Sequence, residues 1–185
     1  MPTVLIPLAA GVEEMEAVIM ADVLRRGGLE VTLAGLAGAG AVTGSRQVRL
    51  LPDTAWHKLD PLRFDALALP GGMGGTEALA ADTSVLEAVR RMSAADKWLA
   101  AVCAAPLVLQ AAGVLAGRRV TSYPGLAERM PEARWVDRRV VVDGRLVTGQ
   151  GPGVAMIFSL TLVSLMVDRA RAQATARAML CEQDF

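Results

Sequence analysis

Leu99-Ala100-Ala101-Val102-Cys103-Ala104-Ala105-Pro106 opens as an unbroken apolar run, passes through a cysteine flanked by small residues, and ends on a proline. A short apolar run of this kind reads as a buried strand. Proline suits the first turn of a helix, where its missing N–H is no loss. A strand that becomes a helix within a few small residues is the β-to-α connection of a parallel α/β fold. The same alternation continues in both directions. Strands are expected at Thr3–Leu8, Val31–Gly35, Ala66–Leu69, Leu99–Val102, Arg119–Ser122 and Leu146–Thr148. Helices are expected at Glu13–Arg26, Ser84–Ala94, Pro106–Ala112 and Gly153–Val167, with a last one from Arg169 toward Cys181. The pattern predicts an α/β, doubly wound fold around a mainly parallel sheet.

Two polar-apolar segments, Gln47–Leu51 and Trp135–Val142, read as antiparallel, the second turning through Asp137-Arg138. The Ala34–Ala41 tract and the stretch Pro52–Arg63 read as loops, neither long nor polar enough for a linker. With no internal repeat, residues 1–185 are expected to form one domain, as the length allows.

Apolar residues make up 53% of the chain and charged ones 21%, a balance suited to a well-covered core and not to disorder. Nineteen basic residues offset nineteen acidic ones, so no specific nucleic-acid or anionic-membrane partner is expected. The apolar run Val154–Val167 falls short of the ~20 residues of a membrane span. Thr3–Ala10 lacks a basic leader and runs into Glu13-Glu14, unlike a signal peptide. Cys103 and Cys181 do not form a disulfide framework or a zinc pattern. A cytoplasmic protein with reduced thiols is the expectation.

Cys103 is the first candidate for chemistry. A sharp strand-to-helix turn exposes and strains a nucleophile and needs small neighbours, which Ala104 and Ala105 provide. The positive end of a helix dipole is expected to lower the thiol's pKa from ~8.5 toward roughly 3.5–7.5. The same pattern also describes a cysteine serving as a small buried hydrophobe. Glu16 is the second candidate, because Ile19, Met20 and Val23 follow it at helical spacing and set its carboxylate on an apolar face. Burial there would raise its pKa and equip it to move protons; taken alone it can also be a half-exposed surface acid. Glu13 and Glu14 read as first-turn acids complementing the dipole. Leu69-Pro70-Gly71-Gly72-Met73-Gly74-Gly75 offers backbone N–H groups to an anion but lacks nucleotide-loop spacing, and Gly149-Gln150-Gly151-Pro152-Gly153 reads as a tight turn into a helix. His57 is the only histidine and reads as a surface residue, and no cluster has metal-ligand spacing.

Gly11-Val12-Glu13-Glu14-Met15-Glu16, Leu69-Pro70-Gly71-Gly72, Val102-Cys103-Ala104-Ala105-Pro106 and Gln150-Gly151-Pro152-Gly153 together resemble the ThiJ/PfpI superfamily, and within it the DJ-one/YajL branch. The likeness runs from the first strand to about Asp168. It implies a flavodoxin-like sandwich that forms a homodimer, with a pocket near the subunit interface. It further implies that Cys103 is the reactive cysteine, that Glu16 hydrogen-bonds it, and that the N–H groups of Gly72 and Ala104 stabilise an anion. Met73 and Tyr123 fall on pocket positions, and Arg46 on an arginine that reaches the pocket from the partner subunit. Many members have a histidine where this chain reads Thr121-Ser122-Tyr123-Pro124. A phenol, with an ordinary pKa of ~10, does not replace an imidazole base at pH 7, so peptidase activity is not expected. The expected activity is that of a cofactor-independent glyoxalase or deglycase acting on methylglyoxal-type aldehydes or their adducts, with no metal. The alternative is a redox sensor or chaperone, with a client protein as partner, that uses an oxidisable Cys103.

Overall fold

In the computed structural model, which describes residues 1–182, the chain runs β1 (Thr3–Leu8), α1 (Glu14–Arg26), β2 (Glu30–Gly35), β3 (Val42–Thr43), β4 (Arg49–Leu50), β5 (Thr54–Ala55), β6 (Ala66–Leu69), α2 (Met73–Ala81), α3 (Thr83–Ala94) and β7 (Trp98–Val102). It continues through α4 (Pro106–Ala111), β8 (Arg119–Val120), β9 (Arg134–Trp135), β10 (Val140–Asp143), β11 (Leu146–Gly149), α5 (Ala155–Met166) and α6 (Arg169–Ala178). The central sheet has the order β10-β11-β7-β6-β1-β2-β5, and only the β10–β11 pair is antiparallel.

The pleat sorts the strand residues between two cores. Leu5, Leu67, Leu69, Leu99 and Ala101 face α2, α3 and α4, where they meet Leu79, Val89, Met92 and Leu109. Their neighbours Val4, Ile6, Leu8, Ala68, Ala100 and Val102 face the other way, against Met20, Leu24, Phe158, Leu162 and Val163 of α1 and α5. With helices on both faces, the central strands need apolar side chains at every position, and they read as continuous apolar runs. The doubly wound expectation is met.

Four local expectations are not. The stretch Pro52–Arg63 reads as a loop, yet Thr54–Ala55 adds a short strand to the sheet edge beside β2. The Gly-rich segment after β6 reads as a flexible loop, yet Met73–Ala81 is helical. Helical glycine is unfavourable by itself, but a Cβ on Gly75 would lie 2.8 Å from the Val12 backbone, so close packing on the loop after β1 requires it. The strand expected at Arg119–Ser122 is reduced to two residues outside the main sheet, paired in parallel with Arg134–Trp135. It stops because the Thr121 N–H turns to the Thr148 hydroxyl instead of a neighbouring strand. Trp135–Val142 is not one antiparallel unit turning at Asp137-Arg138: Trp135 belongs to the β8–β9 pair, while Val140–Asp143 pairs antiparallel with Leu146–Gly149 across Gly144-Arg145. Gly144 takes a φ of +57° there, the left-handed turn geometry that glycine tolerates. The antiparallel reading of the first segment holds for Arg49–Leu50, which pairs with Val42–Thr43.

Phe158 is fully buried between α5 and the sheet, so close to Gly149 that a Cβ there would lie 2.9 Å from its ring. Phe158→Ala should therefore destabilise the fold by about 3–5 kcal/mol, read as a lower urea midpoint at constant slope; a loss below about 1 kcal/mol would mean that α5 does not depend on this contact.

Candidate active site

β7 ends one residue before Cys103, which takes a φ of +62°. That conformation costs a non-glycine residue of order 1–3 kcal/mol and persists only where its surroundings fix it. Here two hydrogen bonds hold the residue: its N–H donates to the Gly149 carbonyl at 2.9 Å, and its carbonyl accepts from the Tyr123 N–H at 2.8 Å. A third, from the Ala105 N–H to the Val102 carbonyl at 3.0 Å, closes the turn around it. The Pro70-Gly71-Gly72 loop presses on the cysteine from the neighbouring strand. A Cβ on Gly71 would lie 2.6 Å from the Cys103 Cβ and 2.9 Å from Glu16 Oε2. Gly72 has a φ of +83°, and its Cα abuts the Gly11 carbonyl and the Glu13 amide. Both glycines are thus dictated by contact, and the N–H groups of Gly72 and Ala104 reach the Cys103 sulfur.

Glu16 is fully buried, as its helical neighbours predict. Its Oε2 accepts the Gly71 N–H at 2.7 Å, and its Oε1 has no hydrogen-bond partner among the described residues. Burial raises the carboxyl to about 7; the Gly71 amide and the Cys103 thiol pull it down, and the charge of Glu13 pushes it up. The expected lowering of the Cys103 pKa is reversed. Burial, and then the adjacent Glu16 carboxylate, push the thiol up to about 12 against the pull of the Gly72 and Ala104 amides. The dipole argument fails because α4 has only six residues and begins three positions beyond the cysteine, and the dipole's effect fades within one turn. The two groups therefore act as a pair sharing a proton: as pH rises through about 7, one proton is left between a carboxylate and a thiol.

A cavity of about 530 Å³ opens over the sulfur. Gly72, Ala104, Met73, Tyr123 and Arg46 line it, so the residues expected at the site do converge. Arg46, which the resemblance assigns to the partner's pocket, lines the cavity of its own chain. Glu13 also lines it, held by the Ser45 hydroxyl at 2.9 Å, and is no mere dipole complement. Glu14 departs further from expectation. It is buried, and it accepts the Arg46 N–H at 2.8 Å, the Val48 N–H at 3.3 Å and the Ser45 hydroxyl at 3.1 Å. Burial alone would raise its carboxyl, but these bonds and its own amide hold it below the ordinary value. Glu14 thereby fastens the β3–β4 ribbon to the start of α1. Gly11, Gly74, Ser45, Leu126 and Pro152 complete the lining; of these Gly11, Gly74 and Pro152 fall in the glycine-containing segments read from the sequence, whereas Ser45 and Leu126 carried no signal of their own. His57 is exposed on the Trp56–Lys58 turn and does not line the cavity. Cys181 is half-buried just beyond α6, with its sulfur 3.6 Å from the Ala176 carbonyl.

A doubly wound sheet with a strained cysteine at the carboxyl end of a central strand and a buried glutamate beside it defines a flavodoxin-like protein with a cysteine elbow. The chain belongs to the DJ-1/PfpI family, whose pattern matches residues 2–165. It is 42% identical to the protein dj-1beta of Drosophila melanogaster over 178 residues, 95% of each chain, and the crystal structure of that protein superposes with a TM-score of 0.94 over 97% of both chains. A protein named as a deglycase from Pyrococcus abyssi is 36% identical over 165 residues, 88% of this chain and 98% of that one. The solved structure of oxidised Toxoplasma gondii DJ-1 is 33% identical, with a TM-score of 0.93 over 97% of this chain and 98% of that one. The family read from the four motifs is thereby shown. Among the described residues no helix is long and apolar enough to cross a membrane.

A carboxyl raised from 4.5 in the unfolded chain to about 7 binds its proton more tightly in the folded state. Its contribution to stability is complete below pH 4.5 and is lost as pH rises through about 7, a change of about 3 kcal/mol. Glu16→Gln should flatten that part of the stability-against-pH curve, measured by urea unfolding between pH 4 and 8. An unchanged slope would mean that Glu16 ionises normally. In the same variant the carboxylate no longer opposes thiolate formation, so alkylation of Cys103 by iodoacetamide should titrate at lower pH than in the wild type, while Cys181 is unaffected. A titration shifted upward would contradict the pairing.

Proposed function

We propose that this chain, acting as one domain within a cytoplasmic homodimer, is a cysteine-dependent, cofactor-independent glyoxalase or deglycase for methylglyoxal-type aldehydes or their adducts. The observation that carries this reading is the pair itself: a strained thiol with two backbone amides at its sulfur and a buried carboxyl titrating near neutrality beside it. The deglycase name of the Pyrococcus abyssi relative agrees with it. Met15 and Val18 on α1 and Val48 next to β4, all about half exposed, leave an apolar surface for the second subunit.

In this mechanism Glu16 takes the thiol proton as Sγ adds to the aldehyde carbon, and the new oxyanion is stabilised by the Gly72 and Ala104 amides. The carboxyl returns a proton to that oxygen. Glu16 then removes the hydrogen of the former aldehyde carbon and delivers a proton to the adjacent carbon through an enediol, leaving a lactoyl thioester. Attack of water on the thioester carbonyl releases lactate and restores the thiol. Methylglyoxal and water are consumed, and no electron acceptor is needed.

A second reading has its own support. The Gly72 and Ala104 amides favour negative charge on the sulfur, an influence that also suits oxygens added to it, and the Toxoplasma gondii relative has been solved oxidised. Two equivalents of peroxide would convert Cys103 to a sulfinate, each releasing water. The protein would then be a sensor or chaperone.

Lactate followed by NMR after addition of methylglyoxal decides between the two. Many equivalents should form per chain. Turnover should fall as pH drops below about 7, where Glu16 keeps its proton and cannot accept the thiol's. Cys103→Ser should abolish it and Glu16→Gln should reduce it by roughly 10²–10⁴. At most one equivalent consumed per chain, or lactate formed at the wild-type rate by Cys103→Ser, would overturn the enzymatic reading.

A further inference from the structure

The cavity is larger than the three-carbon substrate of the proposed reaction needs. At about 530 Å³ it lies within the range of pockets that hold drug-sized ligands, and its lining is mixed in character. Glu13, Ser45 and Arg46 contribute polar lining, whereas Met73, Tyr123, Leu126 and Pro152 contribute apolar lining. Tyr123 is the organising member of the apolar set. Its N–H is bonded to the carbonyl of Cys103, and its own carbonyl accepts from the Ser122 hydroxyl at 3.2 Å and the Leu126 N–H at 3.3 Å. Its backbone is therefore registered to the nucleophile. The ring crosses Gly151, where a Cβ would lie 3.3 Å from Cδ2, and half of the residue is left exposed to the cavity and solvent. Met73, 40% exposed, presents a thioether that accepts from Arg129 Nη1 at 3.6 Å. An aromatic face and a polarisable sulfur lining one cavity suit a flat apolar group better than water.

We propose that Tyr123 is a specificity-determining residue and that the substrates preferred by this site are 2-oxoaldehydes carrying an aromatic or similarly bulky apolar substituent, which packs against Tyr123, Met73 and Leu126 while the aldehyde carbon meets Cys103. The inference deepens the glyoxalase reading and rests on it. The residue occupying the place of an imidazole thus acts by contact with substrate and transfers no proton.

Initial rates with phenylglyoxal and methylglyoxal, measured for wild type, Tyr123→Phe and Tyr123→Ala, test it. Wild type should favour phenylglyoxal in kcat/KM. Tyr123→Phe should keep that preference, and in Tyr123→Ala the loss on phenylglyoxal, mainly in KM, should exceed the loss on methylglyoxal by roughly 3- to 10-fold. Equal loss on both substrates, or a Tyr123→Ala variant that retains the preference, would overturn the assignment. Protection of Cys103 from iodoacetamide by benzaldehyde gives a readout independent of turnover: it should weaken in Tyr123→Ala relative to wild type, and unchanged protection would also overturn it. Absence of turnover on either aldehyde together with weakened protection would uphold the aromatic wall and refute the glyoxalase reaction.

Discussion

Everything at the site depends on how closely the Gly71 backbone passes between Glu16 and Cys103. Its N–H occupies one oxygen of the glutamate at 2.7 Å, and its Cα has no room for a side chain against the cysteine. This one contact brings together α1, the end of β6 and the end of β7, elements far apart in sequence. It also buries the carboxylate enough to raise its pKa. A buried acid without such a donor would be an unsatisfied group costing several kcal/mol; with Oε2 bonded to Gly71, and Oε1 without a hydrogen-bond partner among the described residues, the acid is held but left ready to exchange a proton. The sheet order, with β6 beside β7 and β1 on its other side, makes the approach possible.

The strain at Cys103 and the burial of Glu16 are complementary. The positive φ lifts the sulfur out of the pleat toward the Gly72 and Ala104 amides, and the hydrogen bonds to Gly149 and Tyr123 keep the residue from relaxing. The thiol, however, is not made acidic by a helix dipole. Its neighbourhood opposes charge, and ionisation needs either a base at hand or a ligand that removes the negative charge as it forms. Ionisation of the thiol then depends on what enters the cavity.

The sheet was legible because parallel strands covered on both faces leave continuous apolar runs, as in β1, β6 and β7, separated by helices with clear periodicity. Cys103 and Glu16 stood out as local anomalies, a cysteine at the end of such a run and an acid on an apolar helical face, but the pattern alone fits a small buried hydrophobe and a half-exposed surface acid as well, and it was the set of four motifs that selected them. What could not be read has non-local causes. Gly75 makes α2 possible by touching Val12, Thr148 ends β8 with a side-chain hydroxyl, and the carboxylate of Glu14 finds its donors in a ribbon more than thirty residues away. The sign of the thiol's pKa was misread because the helix after it is short and the neighbouring acid lies far off in sequence.

The β3–β4 ribbon has two residues per strand and lies outside the main sheet, with Val42 buried in the core that α1 and α5 cover. An isolated hairpin of that size is marginal in water; Glu14, through the amides of Arg46 and Val48, holds it in place. Ser45 and Arg46 thus reach the cavity from a small element tied down by the Glu14 carboxylate, by the Gly11 N–H on the Thr43 carbonyl at 2.9 Å and by the Ser45 N–H on the Val12 carbonyl at 2.7 Å, whereas Cys103 follows directly from the sheet. Residues such as Arg46 can be exchanged, or the ribbon lengthened, without disturbing a single central strand. The lining that the ribbon contributes can therefore diverge among descendants of this chain much faster than the cysteine turn does.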